Sequence, residues 1–340
     1  MERHAHSDVQ SPLTAIRPRG TLSARRPLRL APGPRPHAFG RRLALLTLLV
    51  LMAIIVHREP AAAYAIAGDE LSPPGPDARH GRAPGLPRKT PGFDEIASEH
   101  RDLRNSARRT PTLTIGTSVE GRPIEVLRFG DGPRARLIVA GIHGGSEANT
   151  TALAWELAAF LAEEPQVVPD GETLYVLPLL NPDGAARATG PQGRTNANGV
   201  DLNRNWPAWW QPAWLRDGCW NLGPSTGGSG PASEPETMSL IQFISAAQVD
   251  ALISYHSAAL GIFPGGQPPE ARSLDLAATL AAVSDYPYPP IDTGCAYTGQ
   301  LIDWAANNGI AAVDIELRTH RDSDRDANLA ILSAFLTWGD

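Results

Sequence analysis

The feature that most constrains this chain is an apolar strand that leads through a glycine-rich turn into a helix. The strand occupies residues 137–139, the turn reads AGIHGGSE over residues 140–147, and a helical pattern covers residues 149–161. Open α/β folds keep their functional sites at the carboxyl edge of the sheet, where such a turn lies. His143 and Glu147 are both possible metal ligands, although helix capping explains them equally well until other residues join them.

The rest of the globular part alternates between apolar strands and helical segments. Apolar strands separated by helices are typical of a largely parallel sheet that helices cover on both faces. We therefore predict an α/β fold, a single α/β/α domain over residues 92–340 with a mixed, largely parallel twisted sheet. The predicted strands are 113–115, 123–129, 137–139, 174–180, 251–255 and 310–316, and the predicted helices are 93–107, 149–161 and 233–247.

Three segments precede this domain. Residues 1–42 are rich in Pro, Arg and Ser and lack an apolar period, which predicts a disordered basic tail. Residues 43–67 join an unbroken apolar run to small residues, which predicts a signal peptide, with an uncleaved signal anchor as the alternative. Residues 68–91 form a Pro/Gly-rich linker that could also act as a short propeptide. We expect export in either case, so that the domain is extracellular or membrane-anchored outside the cytoplasm.

The charge pattern excludes one class of partner. The formal net charge is -6, and the basic residues crowd the region before residue 60. No basic stripe therefore remains on the domain for a phosphate backbone, and we expect no nucleic-acid partner. A membrane is expected to contact the chain only through the N-terminal apolar segment, and nothing in the sequence indicates an oligomeric state.

The chain has two cysteines, Cys219 and Cys295, both in segments that we predict to be loops. Exported proteins commonly form disulfides, so a bond between these two residues is the favoured hypothesis. Two buried free thiols are the alternative.

A second histidine occupies the same kind of position as the first. His256 ends the strand at 251–255, as His143 follows the strand at 137–139. A single histidine at a strand end is more often a core residue. With His143 and Glu147, however, His256 completes a set of two His and one Glu, which leaves the fourth tetrahedral position open for water, as catalytic zinc requires.

Two further positions carry charged groups of the kind that such a site uses. Glu316 closes the last apolar strand, where a carboxylate can take a proton from water and pass it to a leaving amine. An ion pair between Glu316 and Arg318 is the alternative. Arg204, beside Asn203 in a loop, offers a planar fork that suits a carboxylate. A surface pair between Arg204 and Asp201 is the alternative there.

The helix at 233–247 begins with a serine and two acidic residues. We predict that Ser233 is the N-cap and that Pro235 lies in the first turn. Glu234 and Glu236 are then acidic residues at the positive end of the helix dipole rather than catalytic groups.

Seven motifs follow one another along the chain: HGGSE, NPDG, RTNANGVDLNRNW, SEPET, SYHS, TGQLIDW and IELR. Together they resemble the zinc carboxypeptidase family of the carboxypeptidase A and B type, from about residue 112 to the end of the chain. The resemblance implies a zinc metallocarboxypeptidase that holds one Zn²⁺ per chain and hydrolyses the C-terminal peptide bond of a peptide substrate.

The resemblance also implies a role for seven residues, and these roles agree with the strand ends and charges described above. They are the zinc ligands His143, Glu147 and His256, the general base and acid Glu316, the carboxylate-binding residues Asn203 and Arg204, and Arg194, which stabilises the oxyanion.

The chain departs from the family pattern at two places. Three residues separate His143 from Glu147, whereas the family has two, so we expect a local difference in the backbone. The position of the family's mobile tyrosine holds Cys295, and Tyr297 is the nearest candidate for the catalytic tyrosine.

The resemblance also bears on substrate choice. Ile302 falls at the family's specificity position, which implies a substrate-binding role and a preference for an apolar or aromatic terminal side chain. If the alignment of this chain to the family is shifted by one residue, its neighbour Asp303 falls at that position and would select basic residues instead.

Three other functions remain open at this point. A peptidoglycan (murein) tripeptide amidase of the same fold would use the same zinc ligands on a cell-wall peptide. An acylamino-acid deacylase of the aspartoacylase type fits the NPDG and DLNRNW motifs less well. An inactive module that binds peptides or cell wall would be expected to lack a ligand or Glu316, and the sequence retains them all.

Overall fold

The computed structural model describes residues 105, 110–214, 225–258, 260–292, 294–295 and 297–339. The statements below concern this part of the chain. The predicted tail, export segment and linker over residues 1–91 lie outside it, as does nearly all of the predicted helix at 93–107. Cys219 also lies outside the described residues.

A seven-stranded sheet forms the centre of the domain, in the order β1-β2-β4-β3-β7-β9-β8. The four middle strands run parallel, whereas β1, β2 and β8 pair antiparallel with their neighbours. This confirms the predicted mixed, largely parallel sheet. The strands of this sheet are β1 Thr112–Thr117, β2 Pro123–Gly130, β3 Arg134–Val139, β4 Glu172–Leu177, β7 Val249–Ser257, β8 Ile262–Pro264 and β9 Ala311–Leu317, and a separate short pair consists of β5 Ala213–Trp214 and β6 Ser225–Thr226.

Helices cover both faces of the sheet. Residues of α1, α4 and α6 share one apolar cluster with the sheet, and residues of α3 and α5 share a second cluster with it. The predicted α/β/α layering is therefore confirmed. The helices are α1 Ala148–Glu163, α2 Pro182–Arg187, α3 Pro235–Ala247, α4 Ala271–Ala282, α5 Leu301–Asn307 and α6 Arg325–Thr337.

The apolar run of β3 shows why this strand lies in the middle of the sheet. Ile138 belongs to the first cluster, while Leu137 and Val139 belong to the second, and none of the three is exposed to solvent. Complete burial of one such side chain stabilises the fold by roughly 2 kcal/mol. Because both faces of β3 are buried, residues 137–139 are continuously apolar rather than alternating, as is typical of a central parallel strand.

The parallel strands bring their carboxyl ends to one edge. His256 pairs with Glu316 across β7 and β9, and β3 ends at Val139, four residues before His143. Residues that are far apart in the sequence therefore meet at this edge, as the strand ends predict.

Several predicted boundaries differ from the observed ones by a few residues, and two of these differences have a clear cause. The N-cap of α3 is Glu234 rather than Ser233, and its side chain makes no capping bond, because it accepts hydrogen bonds from Asn196 and Asn198 instead. The strand predicted at 174–180 ends at Leu177, because the next segment turns back to hydrogen-bond the turn after β3.

Within the described ranges, no helix combines the length and the apolar character needed to cross a membrane.

Candidate active site

Three buried side chains form a possible metal-binding group at the carboxyl edge of the sheet. The ligand atoms of His143, Glu147 and His256 all lie within 4.8 Å of one another. The Nδ1 atom of His256 is 3.2 Å from Nδ1 of His143 and 3.1 Å from a carboxylate oxygen of Glu147. Two imidazoles and one carboxylate are the ligands of many catalytic zinc sites, so this group fits one Zn²⁺.

The three-residue spacing between His143 and Glu147 is accommodated by a short 3₁₀ helix, Gly144–Glu147. This turn brings Nδ1 of His143 to 2.7 Å from Glu147 Oε1. Gly144 has a φ of +45°, and a Cβ atom on Gly145 would overlap the carbonyl oxygen of Ala188. The three-residue spacing thus takes the form of a 3₁₀ turn that depends on two glycines, and the expected backbone difference from the family stays a prediction.

Asp201 fixes the orientation of the first histidine. Its Oδ1 lies 3.2 Å from His143 Nε2, and its Oδ2 accepts a hydrogen bond from Arg194 Nε at 2.9 Å. Burial alone would raise the pKa of Asp201, but the charges of Arg194 and His143 outweigh it and hold the pKa well below its usual range. An ionised Asp201 keeps the proton of His143 on Nε2, so that Nδ1 remains free to bind a metal ion.

The second histidine is held by two neighbours on its far side. His256 Nε2 lies 3.0 Å from Ser254 Oγ and 3.3 Å from Asn203 Nδ2. Burial lowers the pKa of His256, but the charges of Asp314 and Glu147 outweigh it and raise the pKa to about 9. The surrounding carboxylates thus favour a positive charge at this place, which also suits a bound cation.

Glu316 is a half-buried residue next to the metal-binding group, and its Oε2 atom is buried. Among the described residues, none forms a hydrogen bond with its Oε2 atom. Burial and, after it, the negative charge of Glu147 raise the pKa of Glu316 to about 8. Arg318 forms its ion pairs with Asp285 and Asp324, so the alternative pairing with Glu316 does not occur.

The predicted carboxylate clamp is also at the site. Arg204 is buried, its guanidinium lies 4.4 Å from the centre of the Tyr297 ring, and its Nη1 donates a hydrogen bond to the carbonyl oxygen of Asn203 at 2.7 Å. Asn203 Oδ1 accepts from the Leu301 amide at 3.0 Å. These contacts hold the clamp rigidly, which favours recognition of a carboxylate.

All nine residues predicted for the site line a single pocket of about 660 Å³. They are His143, Glu147, Arg194, Asn203, Arg204, His256, Tyr297, Ile302 and Glu316. The structure brings these residues together, and their individual roles stay predictions.

Some residues of the site were missed or assigned another place by sequence reasoning. Asp201 was considered as a surface partner of Arg204, but it is buried beside His143. Asp314 lines the pocket, and the signal that could have found it is its position two residues before Glu316 on the same strand. His320 also lines the pocket and lies 2.9 Å from Ser257 Oγ.

Cys295 lies at the pocket as well and is disulfide-bonded. The other cysteine of the sequence, Cys219, is outside the described residues, so the pairing proposed from the sequence stays a prediction for that residue.

The match to a known family agrees with this geometry. The model of the zinc carboxypeptidase family matches residues 98–329. The chain belongs to the zinc carboxypeptidase family. The chain is 31% identical over 258 residues to carboxypeptidase A2 of Mus musculus, an alignment that covers 64% of this chain and 60% of the relative. A shorter stretch of 120 residues is 40% identical to the catalytic chain of carboxypeptidase N of Homo sapiens, covering 29% of this chain and 26% of the relative.

Two solved structures share the fold of this chain. Bovine thrombin-activatable fibrinolysis inhibitor matches with a TM-score of 0.57 and 19% identity over 71% of this chain and 95% of that chain. The murein-tripeptide amidase of Escherichia coli O157 matches with a TM-score of 0.50 and 25% identity over 70% of this chain and 97% of that chain. This zinc carboxypeptidase family member spans about 60% of the length of its carboxypeptidase A2 relative.

Proposed function

We propose that this chain is a zinc-dependent metallocarboxypeptidase that removes one residue from the C-terminus of peptides. The observation that carries the proposal is one pocket lined by three groups: a His/Glu/His metal-binding group, the carboxylate of Glu316, whose buried Oε2 has no hydrogen-bond partner among the described residues, and an Asn/Arg pair. A metal, a base and a carboxylate clamp are the parts that removal of a terminal residue requires.

The clamp determines where the substrate lies. Arg204 and Asn203 bind the terminal carboxylate, because a guanidinium beside an amide offers several donors to its two oxygens. Tyr297 stacks on Arg204 and supports this end of the substrate. An internal peptide bond has no free carboxylate to offer, so the clamp restricts cleavage to the last bond.

The metal-binding residues His143, Glu147 and His256 would hold Zn²⁺. When bound, Zn²⁺ acts as a Lewis acid that polarises the scissile carbonyl and lowers the pKa of water.

The chain's own residues provide the rest of the chemistry. Glu316 accepts the proton of the attacking water and passes it to the leaving amine. Arg194, which Asp201 anchors beside Glu147, donates hydrogen bonds to the oxyanion that forms at the scissile carbonyl. Because Arg194 is already held in place by Asp201, little reorganisation is needed during the reaction.

A second function is supported by one specific observation. The murein-tripeptide amidase is a solved structure of which this chain covers nearly the whole length. We therefore keep hydrolysis of a cell-wall tripeptide as the alternative, with the same metal and the same base.

The test is mass spectrometry of a peptide panel incubated with the zinc-loaded full-length protein, with and without a zinc chelator. Each peptide is supplied as the free acid and as its C-terminal amide, and a cell-wall tripeptide is included. Chelator-sensitive loss of single residues from the free acids alone is the expected result. Cleavage of the tripeptide alone would establish the amidase instead, and no cleavage by zinc-loaded protein would refute both reactions and leave a binding module.

Export from the cytoplasm remains our proposal on the grounds of the apolar segment at 43–67. A fusion of residues 1–67 to a reporter enzyme that is active only outside the cytoplasm tests it, and an inactive reporter would refute it.

A further inference from the structure

His320 lines the active-site pocket, and the reaction proposed above gives it no part. The residue is exposed and lies in the segment that joins β9 to α6. Among the described residues, only Ser257 forms a hydrogen bond with its ring, through Nδ1 at 2.9 Å. The second ring nitrogen, Nε2, therefore has no protein partner in the described part of the chain and is available to a ligand in the pocket.

The metal-binding group separates His320 from the carboxylate clamp of Asn203 and Arg204. The clamp bonds the first residue of α5, Leu301, which belongs to the second apolar cluster. His320 instead bonds Ser257, which is linked to the start of α1, a helix of the first cluster. These two clusters lie on opposite faces of the sheet. A peptide whose carboxylate is in the clamp and whose last bond is at the metal-binding group therefore continues toward His320.

A buried hydrogen-bond chain holds the ring of His320, and it starts at Asn149. The Nδ2 atom of Asn149 donates to the carbonyl oxygens of Thr319 at 2.7 Å and of Asp322 at 3.0 Å. Carbonyl oxygens can only accept, so both hydrogens of this amide are used. The atom of Asn149 that faces the Ser257 hydroxyl, at 3.2 Å, must then be the acceptor Oδ1.

The orientation of Asn149 determines where the hydroxyl proton of Ser257 lies. Both residues are buried, and the Ser257 hydroxyl is the donor to Asn149 Oδ1 among the described residues. An unpaired buried acceptor is costly, whereas an exposed imidazole can bond water instead, so the hydroxyl donates to Asn149. The Ser257 oxygen then accepts from Nδ1 of His320. In the neutral ring the proton is on Nδ1, and Nε2 is a hydrogen-bond acceptor.

The same chain connects this acceptor to the residues proposed to cleave the substrate. Ser257 directly follows His256, and its backbone amide donates to a carboxylate oxygen of Glu147 at 3.3 Å. His320 lies four residues after Glu316. The acceptor is thus held close to the reacting groups by fixed contacts, which is what a substrate-positioning residue requires.

We propose that His320 binds the substrate backbone on the acyl side of the scissile bond, where its Nε2 accepts a hydrogen bond from the amide N–H of the penultimate residue. The proposal rests on the proposed function, because the clamp must place the last bond at the metal-binding group. A peptide group offers one donor and one acceptor, and only the donor can pair with the lone pair of Nε2. A substrate with an ester oxygen in place of this N–H loses the bond.

The experiment compares two substrates that differ only at this N–H. They are N-benzoylglycyl-X and O-benzoylglycolyl-X, in which X is Phe or Lys and the scissile bond is the same amide. Release of X by zinc-loaded full-length protein is measured. We expect kcat/KM to be about threefold to tenfold higher for the N–H member of each pair, which is the net effect of one hydrogen bond between neutral groups. Equal rates, or faster release from the ester member, would overturn the proposal.

Variants assign the discrimination to the imidazole. His320→Leu should bring the ratio of kcat/KM between the two members close to one, whereas His320→Gln should keep most of it, because its amide oxygen can accept the same hydrogen bond. Arg321→Leu is the matched control, since Arg321 is the exposed neighbour of His320 and does not line the pocket, and it should leave the ratio unchanged. A ratio that His320→Leu does not lower would refute the role of His320.

The position of the ring proton can be tested separately. Imidazole ¹⁵N NMR distinguishes a ring that carries its proton on Nδ1 from one that carries it on Nε2. We expect the neutral ring of His320 to carry it on Nδ1 in wild-type protein and to become a mixture in Ser257→Ala. A neutral ring protonated on Nε2 in wild-type protein would overturn the proposal, because Nε2 could then accept no hydrogen bond.

Binding measurements separate failure of this inference from failure of the proposed function. Calorimetry with zinc-loaded Glu316→Gln protein compares the affinities of the two substrates without requiring turnover. Tighter binding of the N–H member, lost when His320→Leu is added, supports the inference even if wild-type protein cleaves neither compound. Equal affinities together with equal rates of cleavage refute the inference and leave the proposed function intact.

Discussion

Replacement of Glu316 by Gln should abolish turnover and, at the same time, stabilise the metal-free protein. The substitution keeps the size of the side chain and removes its charge. Loss of a general base costs typically 10²–10⁴-fold in rate, which corresponds to about 3–5 kcal/mol in the activation barrier. Zinc affinity should change little, because Glu316 is not one of the three proposed ligands.

The stability effect follows from the pKa of the same group. The pKa of Glu316 rises from 4.5 to about 8 in the folded protein, so the folded state binds this proton more tightly than the unfolded state does. The associated stability is therefore fully present below pH 4.5 and is lost as the pH rises to about 8. At 1.36 kcal/mol per pKa unit, the loss for wild-type protein is on the order of a few kcal/mol. Glutamine does not ionise, so the variant avoids this loss.

The assay combines kcat/KM, zinc competition with a chelator, and thermal unfolding of metal-free protein at pH 5 and pH 8. We expect the variant to melt above wild type at pH 8 and close to it at pH 5. Glu125→Gln, which changes an exposed glutamate on β2, is the control and should leave kcat/KM, zinc affinity and the melting temperature unchanged. Retained turnover, or a variant that melts below wild type at pH 8, would refute the assignment of Glu316 as a general base with a raised pKa.

Three further changes test the remaining parts of the site. Asp201→Asn should weaken zinc binding about 10–100-fold, because Asp201 orients the proposed ligand His143. Competition with a chelator measures the zinc affinity, and an unchanged affinity would contradict this role of Asp201. Arg204→Lys should raise KM for free-acid peptides about tenfold, because Lys lacks the planar fork, and an unchanged KM would argue against the clamp. Arg194→Lys should lower kcat about 10²-fold with little change in KM, and a change confined to KM would show that Arg194 binds ground-state substrate instead.

The metal-binding group could be predicted from the sequence because its residues follow or end parallel strands. His143 lies four residues after β3 and His256 lies near the end of β7, and parallel strands bring such ends to one edge. Glu316 follows from the same rule on β9. Topology therefore grouped the two histidines with Glu316, whereas the place of Glu147 depends on the 3₁₀ turn after His143.

Other features depend on packing that the sequence does not reveal. Asp303 and Asp314 line the same pocket only because α5 packs on β9, and no local pattern specifies that contact. The predicted N-cap of α3, Ser233, was wrong. The N-cap is Glu234, whose carboxylate accepts hydrogen bonds from two asparagines in a distant loop rather than from its own helix. The sequence offered Asp201 only as an alternative surface partner of Arg204, because its burial beside His143 depends on tertiary structure.

The turn that carries Glu147 has a consequence for mutational scans of this protein. Gly144 and Gly145 have no side-chain chemistry, yet the backbones of Ala185, Ala188 and Gly193 leave no room for a Cβ atom at these positions. Every substitution there should move a proposed ligand away from its partners. A scan that scores only activity would rank these two glycines beside the proposed zinc ligands, and only a separate measurement of metal content in each variant would reveal that they act through shape.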